Sequence, residues 1–316
     1  MLRKRLPGNL SMSHLLKDSF VLDGIREEPM VRLDGRRRFD MRALSLKLGP
    51  LPGQSEVRIG ETIARCSVSG EVVAPLPERP NEGRLMFNVE FGPIASPSFE
   101  PGRPNIEAMT LCNQVERVLR GSKAIDVEAL CVLGGRKVWS VRADIHAMND
   151  DGNLTDACCL AALSALLSFR KEEVDERGAV IPSSEREPVP LSVHHLPLTT
   201  TFSLFPAKSN GITIAIADPS AAEERAGSGL LTLTVNQHGE FCGVHKPGGA
   251  PIDMQIIKDC TQLAIKRAVE LTALIQKHLE ETKNTRQLKR RDIHHKYAKD
   301  AIIALTLDQQ MDVSLP

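Results

Sequence analysis

Aromatic side chains are scarce: they make up 3% of the 316 residues, with one Trp and one Tyr. This argues against base-stacking modules, which need several exposed rings on one sheet. Net charge is missing too, because 40 Lys and Arg balance 40 Asp and Glu. A polyanion binder held by bulk charge is disfavoured, while a local basic patch stays open. No apolar run reaches the ~18 residues of a membrane span. The longest, Ala157 to Phe169, is interrupted by Ser164 and Ser168. No membrane role is expected. The basic opening MLRKRLPGNLSMSH has no apolar segment behind it, so it does not read as a secretory signal. The seven cysteines include no Cys-x-x-Cys pair. An odd count without that spacing argues against a disulfide framework or a cysteine zinc site, and a reducing compartment follows. Both glycine-rich phosphate loops are absent as well.

What is present is a foldable composition, 41% hydrophobic and 25% charged. Ser11 to Glu28 carries Leu15, Leu16, Phe20 and Ile25 among charges and predicts a short helix capped by Ser11 or Ser13. Arg32-Leu-Asp-Gly-Arg36 reads as a charged turn. Leu44, Leu46 and Leu48 alternate with polar residues and predict a strand. A hairpin is expected at Gly60-Glu61, and another strand over Leu85 to Phe91. Ala108, Leu111, Cys112, Val115 and Leu119 mark one helix face, with Glu107, Asn113, Gln114, Arg117 and Arg120 opposite. Strands follow at Leu130 to Leu133 and Lys137 to Met148. The helix Leu154 to Phe169 is apolar nearly all round and rich in small residues, so it belongs between two layers.

A polar break spans Arg170 to Pro190. Strands resume over Val193 to Phe205, Ile212 to Ala217, Leu230 to Val235 and Glu240 to His245, and a helix is predicted over Ile252 to Glu281. Each half thus shows strands and then a long helix. The fold class is α+β, with mostly antiparallel sheets in two pseudo-repeated units packed into one body. The expected divisions are 1–29 as an N-terminal helix and extension, 30–188 as the first half, 189–282 as the second and 283–316 as a tail.

Several segments carry chemistry. Asp150-Asp151-Gly152-Asn153 sits where a strand meets a helix; it could hold a metal, or serve as a turn and cap. Asp218-Pro219 followed by Glu223-Glu224 has the same ambiguity. The adjacent His194 and His195 point to opposite faces of a strand, and Cys158 and Cys159 have no neighbouring base; neither pair reads as a site. Arg103, Arg117, Arg120 and Lys123 could project together from one loop and one helix face. A guanidinium cluster of that kind suits phosphodiester backbones.

Six segments in order resemble the RNase PH-like proteins: Arg32 to Arg36, Phe99 to Arg103, Asp126 to Cys131, Val138 to Asp144, Asp151 to Ala157 and Glu185 to Leu191. The run Glu185 to Pro197 is the most specific, and it resembles one type of ring subunit of the eukaryotic RNA exosome. The resemblance covers about Ser11 to Glu281. It implies an RNase PH-like fold in a hexameric ring, with other RNase PH-like subunits, RNA-binding cap subunits and associated exoribonucleases as partners. RNA would thread the channel. Location in nucleus, nucleolus and cytoplasm is expected, with no cofactor and no metal.

The same resemblance implies a degenerate site. Active members cleave by phosphate attack and carry Asp-Gly-Gly-Thr-Arg-Thr-Ala at the strand-to-helix turn. Here Thr155 stands in place of the phosphate-binding arginine, and Asp156 adds a negative charge that repels phosphate. Active members also carry two Asp six residues apart in the second half. Asp218 and Glu224 match that spacing, with one Asp replaced by Glu. Arg117 matches an RNA-contacting arginine of the non-catalytic archaeal subunit type. The expectation is a non-catalytic structural and RNA-path subunit supporting 3'-5' RNA processing and degradation. The alternative is an active phosphate-dependent exoribonuclease.

Overall fold

Period-two alternation places Leu46, Val57, Ile59, Ala64, Cys66 and Val68 in the core while their neighbours face water. The computed structural model describes residues 12–27, 30–96, 99, 106–175, 180–182, 185–206 and 213–312, with backbone only for 12–16 and 287–312. The first sheet contains β1 (Leu44–Leu48), β2 (Gln54–Ile59), β3 (Thr62–Val73), β4 (Arg84–Phe91), β5 (Cys131–Leu133) and β6 (Lys137–Asn149). Its order is β1-β2-β3-β6-β4, and β5 pairs with β6 off that path. All its pairings are antiparallel except β4 with β6. The hairpin at Gly60-Glu61 joins β2 to β3 as expected, with Gly60 at φ +59°.

The polar break contributes a two-strand ribbon, β7 (Arg170–Lys171) and β8 (Val189–Pro190). The second sheet is antiparallel throughout: β9 (Leu198–Pro206), β10 (Thr213–Ala217), β11 (Gly229–Val235) and β12 (Phe241–His245), ordered β10-β9-β11-β12. The strand expected to begin at Val193 begins at Leu198; Val193 forms only an isolated bridge with Ile125. Pro197 has no N–H for a ladder, which accounts for the late start.

The helices are α1 (Met12–Arg26), α2 (Ile106–Glu116), α3 (Leu154–Ser168), α4 (Ala221–Ala226) and α5 (Met254–Asp312). Helix α3 is buried on nearly every side and contacts β2, β3 and β6 of one sheet and β9 of the other. Its small residues, Ala157, Ala161, Ala162 and Ala165, permit that double approach. Helix α2 packs on β4 and α1 packs on α4. Val21 and Ile25 of α1 join Phe205 and Ile216 in one cluster. The backbone divides into a compact unit of residues 1–273 and a second of 274–316. The second is helical through Asp312, although the helix was expected to stop near Glu281. Neither Gly nor Pro interrupts 254–312, so no residue there breaks the backbone pattern.

Candidate functional site

The segment Asp151 to Ala157 connects β6 to α3. Gly152 has φ +83° and Asn153 φ +58°. A Cβ at Gly152 would lie 2.4 Å from the Ala221 nitrogen, so only glycine allows this turn to meet the one at 218–221. The two turns are stitched together by Ala221 N–H donating to the Asp151 carbonyl (3.1 Å). Thr62 Oγ1 donates to the Gly152 carbonyl at 2.7 Å. Asn153 occupies the N-cap of α3 but makes no capping bond with its side chain. Its Nδ2 donates to Asp218 Oδ1 (2.7 Å), and its N–H donates to Glu224 Oε1 (2.8 Å). So Asp218 and Glu224 both meet Asn153 at the start of α3.

Asp218 is buried, 2% exposed, and held at φ +48°. Its Oδ2 accepts from Arg36 Nη1 (3.0 Å), Arg42 N–H (2.8 Å) and Arg42 Nε (3.0 Å). Its Oδ1 accepts from Arg42 Nη2 (2.8 Å). Burial alone would raise this carboxyl, but the Arg42 guanidinium and the Asn153 amide outweigh it and hold it below its usual range. Arg42 also donates from Nη1 to the Asp151 carbonyl (2.9 Å) and to its Oδ2 (3.3 Å). Arg32, read from sequence as part of a charged turn, is buried. It forks onto Glu223 (2.8 and 2.7 Å) and donates to the Ala217 and Asp218 carbonyls. Arg32, Arg36 and Arg42 were not singled out as site residues. Their signals were the Arg32 to Arg36 segment of the resemblance and the density of arginines just before β1.

The remaining carboxyls respond to the same enclosure. Burial pushes Glu224 up to about 7, opposed by the Asn153 N–H and reinforced by Asp150. Burial raises Asp156 as well, although its Oδ1 accepts from Thr201 Oγ1 (2.8 Å) and its Oδ2 from Thr201 N–H (2.9 Å). Asp156 therefore ties α3 to β9. Asp151, half-exposed, is raised by burial against the pull of Arg42. The cations here are bound to the protein's own acids. Among the described residues, no group of three or more His, Cys, Asp or Glu is arranged to hold a metal ion, and no helix is long and apolar enough to cross a membrane.

Thr155, in the first turn of α3, turns away from this clamp. Its Oγ1 lies 3.4 Å from Gln114 Oε1, and it lines a small open-mouthed pocket with Arg117 and His245. Arg117 begins a π-helical turn, Arg117–Gly121, that ends the α2 segment. Arg120 instead pairs with Glu116 (2.7 Å) on the exposed surface. Lys123 sits beyond the turn at φ +56°. Arg103 lies outside the described residues.

Comparison with known proteins gives consistent results. The model of the 3' exoribonuclease family, domain 1 (RNase PH) matches residues 40–172, and that of domain 2 matches 195–267. Exosome complex component RRP45A of Arabidopsis thaliana is 39% identical over 293 residues, covering 91% of this chain and 94% of its own. RRP45B of the same plant is 40% identical over 297 residues, 92% of this chain and 66% of its own. The human RRP45 is 40% identical over 271 residues, 85% of this chain. The chain spans 60% of that human protein's length. Among solved structures, a chain of the Archaeoglobus fulgidus exosome with RNA bound to the active site superposes with a TM-score of 0.71 at 30% identity. The match covers 83% of this chain and 99% of that one. An archaeal exosome core chain gives 0.68 at 26% identity, covering 84% and 98%.

Proposed function

The chain belongs to the RNase PH family of 3' exoribonucleases, and from that premise we propose that it is a non-catalytic structural and RNA-path subunit of the exosome core ring. In this reading it supports 3'-5' RNA processing and degradation by associated exoribonucleases. Its neighbours are other RNase PH-like ring subunits and RNA-binding cap subunits, and it works in nucleus, nucleolus and cytoplasm. The observation that carries the non-catalytic part is the clamp on Asp218. A carboxylate that accepts from Arg36, Arg42 and Asn153 at once has no free lone pair aimed at a substrate. Arg42, whose Nε, Nη1 and Nη2 all donate within the protein, is in turn unavailable to an incoming phosphate. Thr155 adds no charge where the family resemblance puts an arginine.

The rival reading, an active phosphate-dependent exoribonuclease, needs a cation and an ionised carboxylate facing one substrate. The experiment is reconstitution of the full chain with candidate RNase PH-like subunits, followed by RNA shortening with and without inorganic phosphate. The expected result is co-assembly, RNA binding and no phosphate-dependent cleavage assignable to this chain. Cleavage that persists when every other RNase PH-like subunit is inactivated, and that stops without phosphate, would establish the rival.

A further inference from the structure

Helix α1 is followed by a close return of the chain that Gly24 makes possible. Val31 N–H donates to the Gly24 carbonyl at 3.0 Å. A Cβ at Gly24 would lie 2.9 Å from the Val31 carbonyl oxygen, too close for a side chain. Arg32 turns inward to Glu223, while its neighbours Val31 and Leu33 stay 58% and 59% exposed. With Phe20 of α1, 68% exposed, they line a groove that takes in Gly24. Asp23 and Glu27, one turn apart on the same helix, line it too. Arg32 and Glu223 neutralise each other, so the exposed charge of this lining is negative. Three large apolar side chains beside two exposed carboxylates fit an occupant that is apolar and basic at once.

We propose that this groove binds the chain's own basic opening, Met1 to Leu6. The inference is independent of the RNA-path reading. Residues 1–11 lie outside the described part of the chain, and their sequence supplies both chemistries that the groove asks for. Leu2 and Leu6 flank Arg3-Lys4-Arg5. The leucines match Phe20, Val31 and Leu33, and the three cations match Asp23 and Glu27. Length allows the contact. From Met12 to Phe20 the helix advances about 12 Å, at about 1.5 Å per residue. The six residues from Leu6 to Met12 span up to ~20 Å when extended. Pro7-Gly8 lies between them, a dipeptide that favours a reversal of the chain. A short tether also gives the opening an effective concentration in about the millimolar range, so a contact of modest strength is populated. Docking then removes an apolar patch from water without a second protein.

The test follows cleavage after Lys4 by trypsin in the full chain, because only an undocked opening enters a protease. Asp23→Lys with Glu27→Lys should speed that cleavage at least ~10-fold, or 1.4 kcal/mol of docking. Phe20→Ser with Leu33→Ser, both at exposed positions, should speed it as well. Charge exchange separates docking from a change in trypsin's own preference. With Arg3→Glu and Arg5→Glu in the opening, cleavage after Lys4 should be slower on the Asp23→Lys, Glu27→Lys groove than on the native one. A photo-crosslinking residue placed at Phe20 identifies the occupant, in the full chain alone and after reconstitution with candidate RNase PH-like subunits. Links to residues 1–6 of the same chain, independent of protein concentration, support the proposal. Links only to a second copy or to another subunit, or no link to residues 1–6 in either state, overturn it. One cleavage rate across all the groove variants overturns it too.

Discussion

Two regions touch the first turn of α3 and treat charge in opposite ways. On one side, Asp218 receives five hydrogen bonds from Arg36, Arg42 and Asn153, and every cation is matched to an acid within the protein. On the other, Arg117 faces a pocket without a carboxylate, opposite an imidazole nitrogen with no partner among the described residues. The first region spends its electrostatics on holding the two halves together. The second leaves the Arg117 guanidinium beside no acid among the described residues that line the pocket. In the non-catalytic reading proposed above, the charges of the site are turned inward as structure while a neighbouring surface carries the binding.

The sharpest way to break this contrast is to remove the acid at its centre. Asp218→Ala strands two largely buried arginines, and loss of one partner from a buried pair costs about 3–5 kcal/mol. Urea unfolding at pH 7 should show a loss of that size. The milder Asp218→Asn, once assembled, should leave the ring's RNA degradation rate unchanged. A tenfold fall in that rate would mean the carboxylate does chemistry.

Titration sharpens the comparison within the clamp itself. Glu224 holds its proton more tightly when folded, at about 7 against 4.5. Its contribution therefore rises as pH falls from 7 to 4.5 and levels off below, with the penalty of ionisation felt above 7. Asp218 has the opposite sign: its folded value lies below 3.8, so its stabilisation holds above that value and is lost in stronger acid. Glu224→Gln should flatten the stability profile between pH 4.5 and 7 and gain up to about 3 kcal/mol at pH 8. Denaturation across pH checks both windows.

On the open side the expected effect is smaller. Arg117→Glu should weaken single-stranded RNA binding to the assembled ring about equally for all sequences, because phosphate contacts carry little sequence information. The salt slope should drop by ~0.7 for each lost contact on a single strand. Equal slopes for wild type and mutant, with the ring intact, would take Arg117 off the path. The smallest effect is expected from Thr155→Arg. It restores the cation that the resemblance calls for, yet phosphate-dependent cleavage should stay at background because Asp218 remains clamped. Measurable phosphorolysis by this variant would show that one residue had silenced the site.

Much of the fold was legible from pattern. The stripe Ala108, Leu111, Val115 and Leu119 is buried as its spacing implied, and the all-round apolarity of Leu154 to Phe169 correctly placed α3 between layers. The π-helical turn at Arg117 was not legible, because residue spacing there fits an ordinary helix equally well. Arg32 was hidden for a different reason. Its charged turn is read from the residues, but only the fold brings Glu223 to it. Within the site, Asp151, Thr155, Asp156, Asp218 and Glu224 could be found by motif. Their arginine partners and His245 are joined to them only through space, and no spacing rule reaches across that many residues.

Arg32 and Glu223 are 191 positions apart in the chain. At a synthesis rate of about 5–20 residues per second, Glu223 is made some 10–40 seconds after Arg32. Throughout that interval the nascent first half carries a cation whose buried counter-charge, Glu223, does not yet exist. Its N-terminal segment cannot settle until the second half is made. The seam between the halves therefore closes last, and a ribosome that stalls before Ala217 releases a product that cannot close it at all.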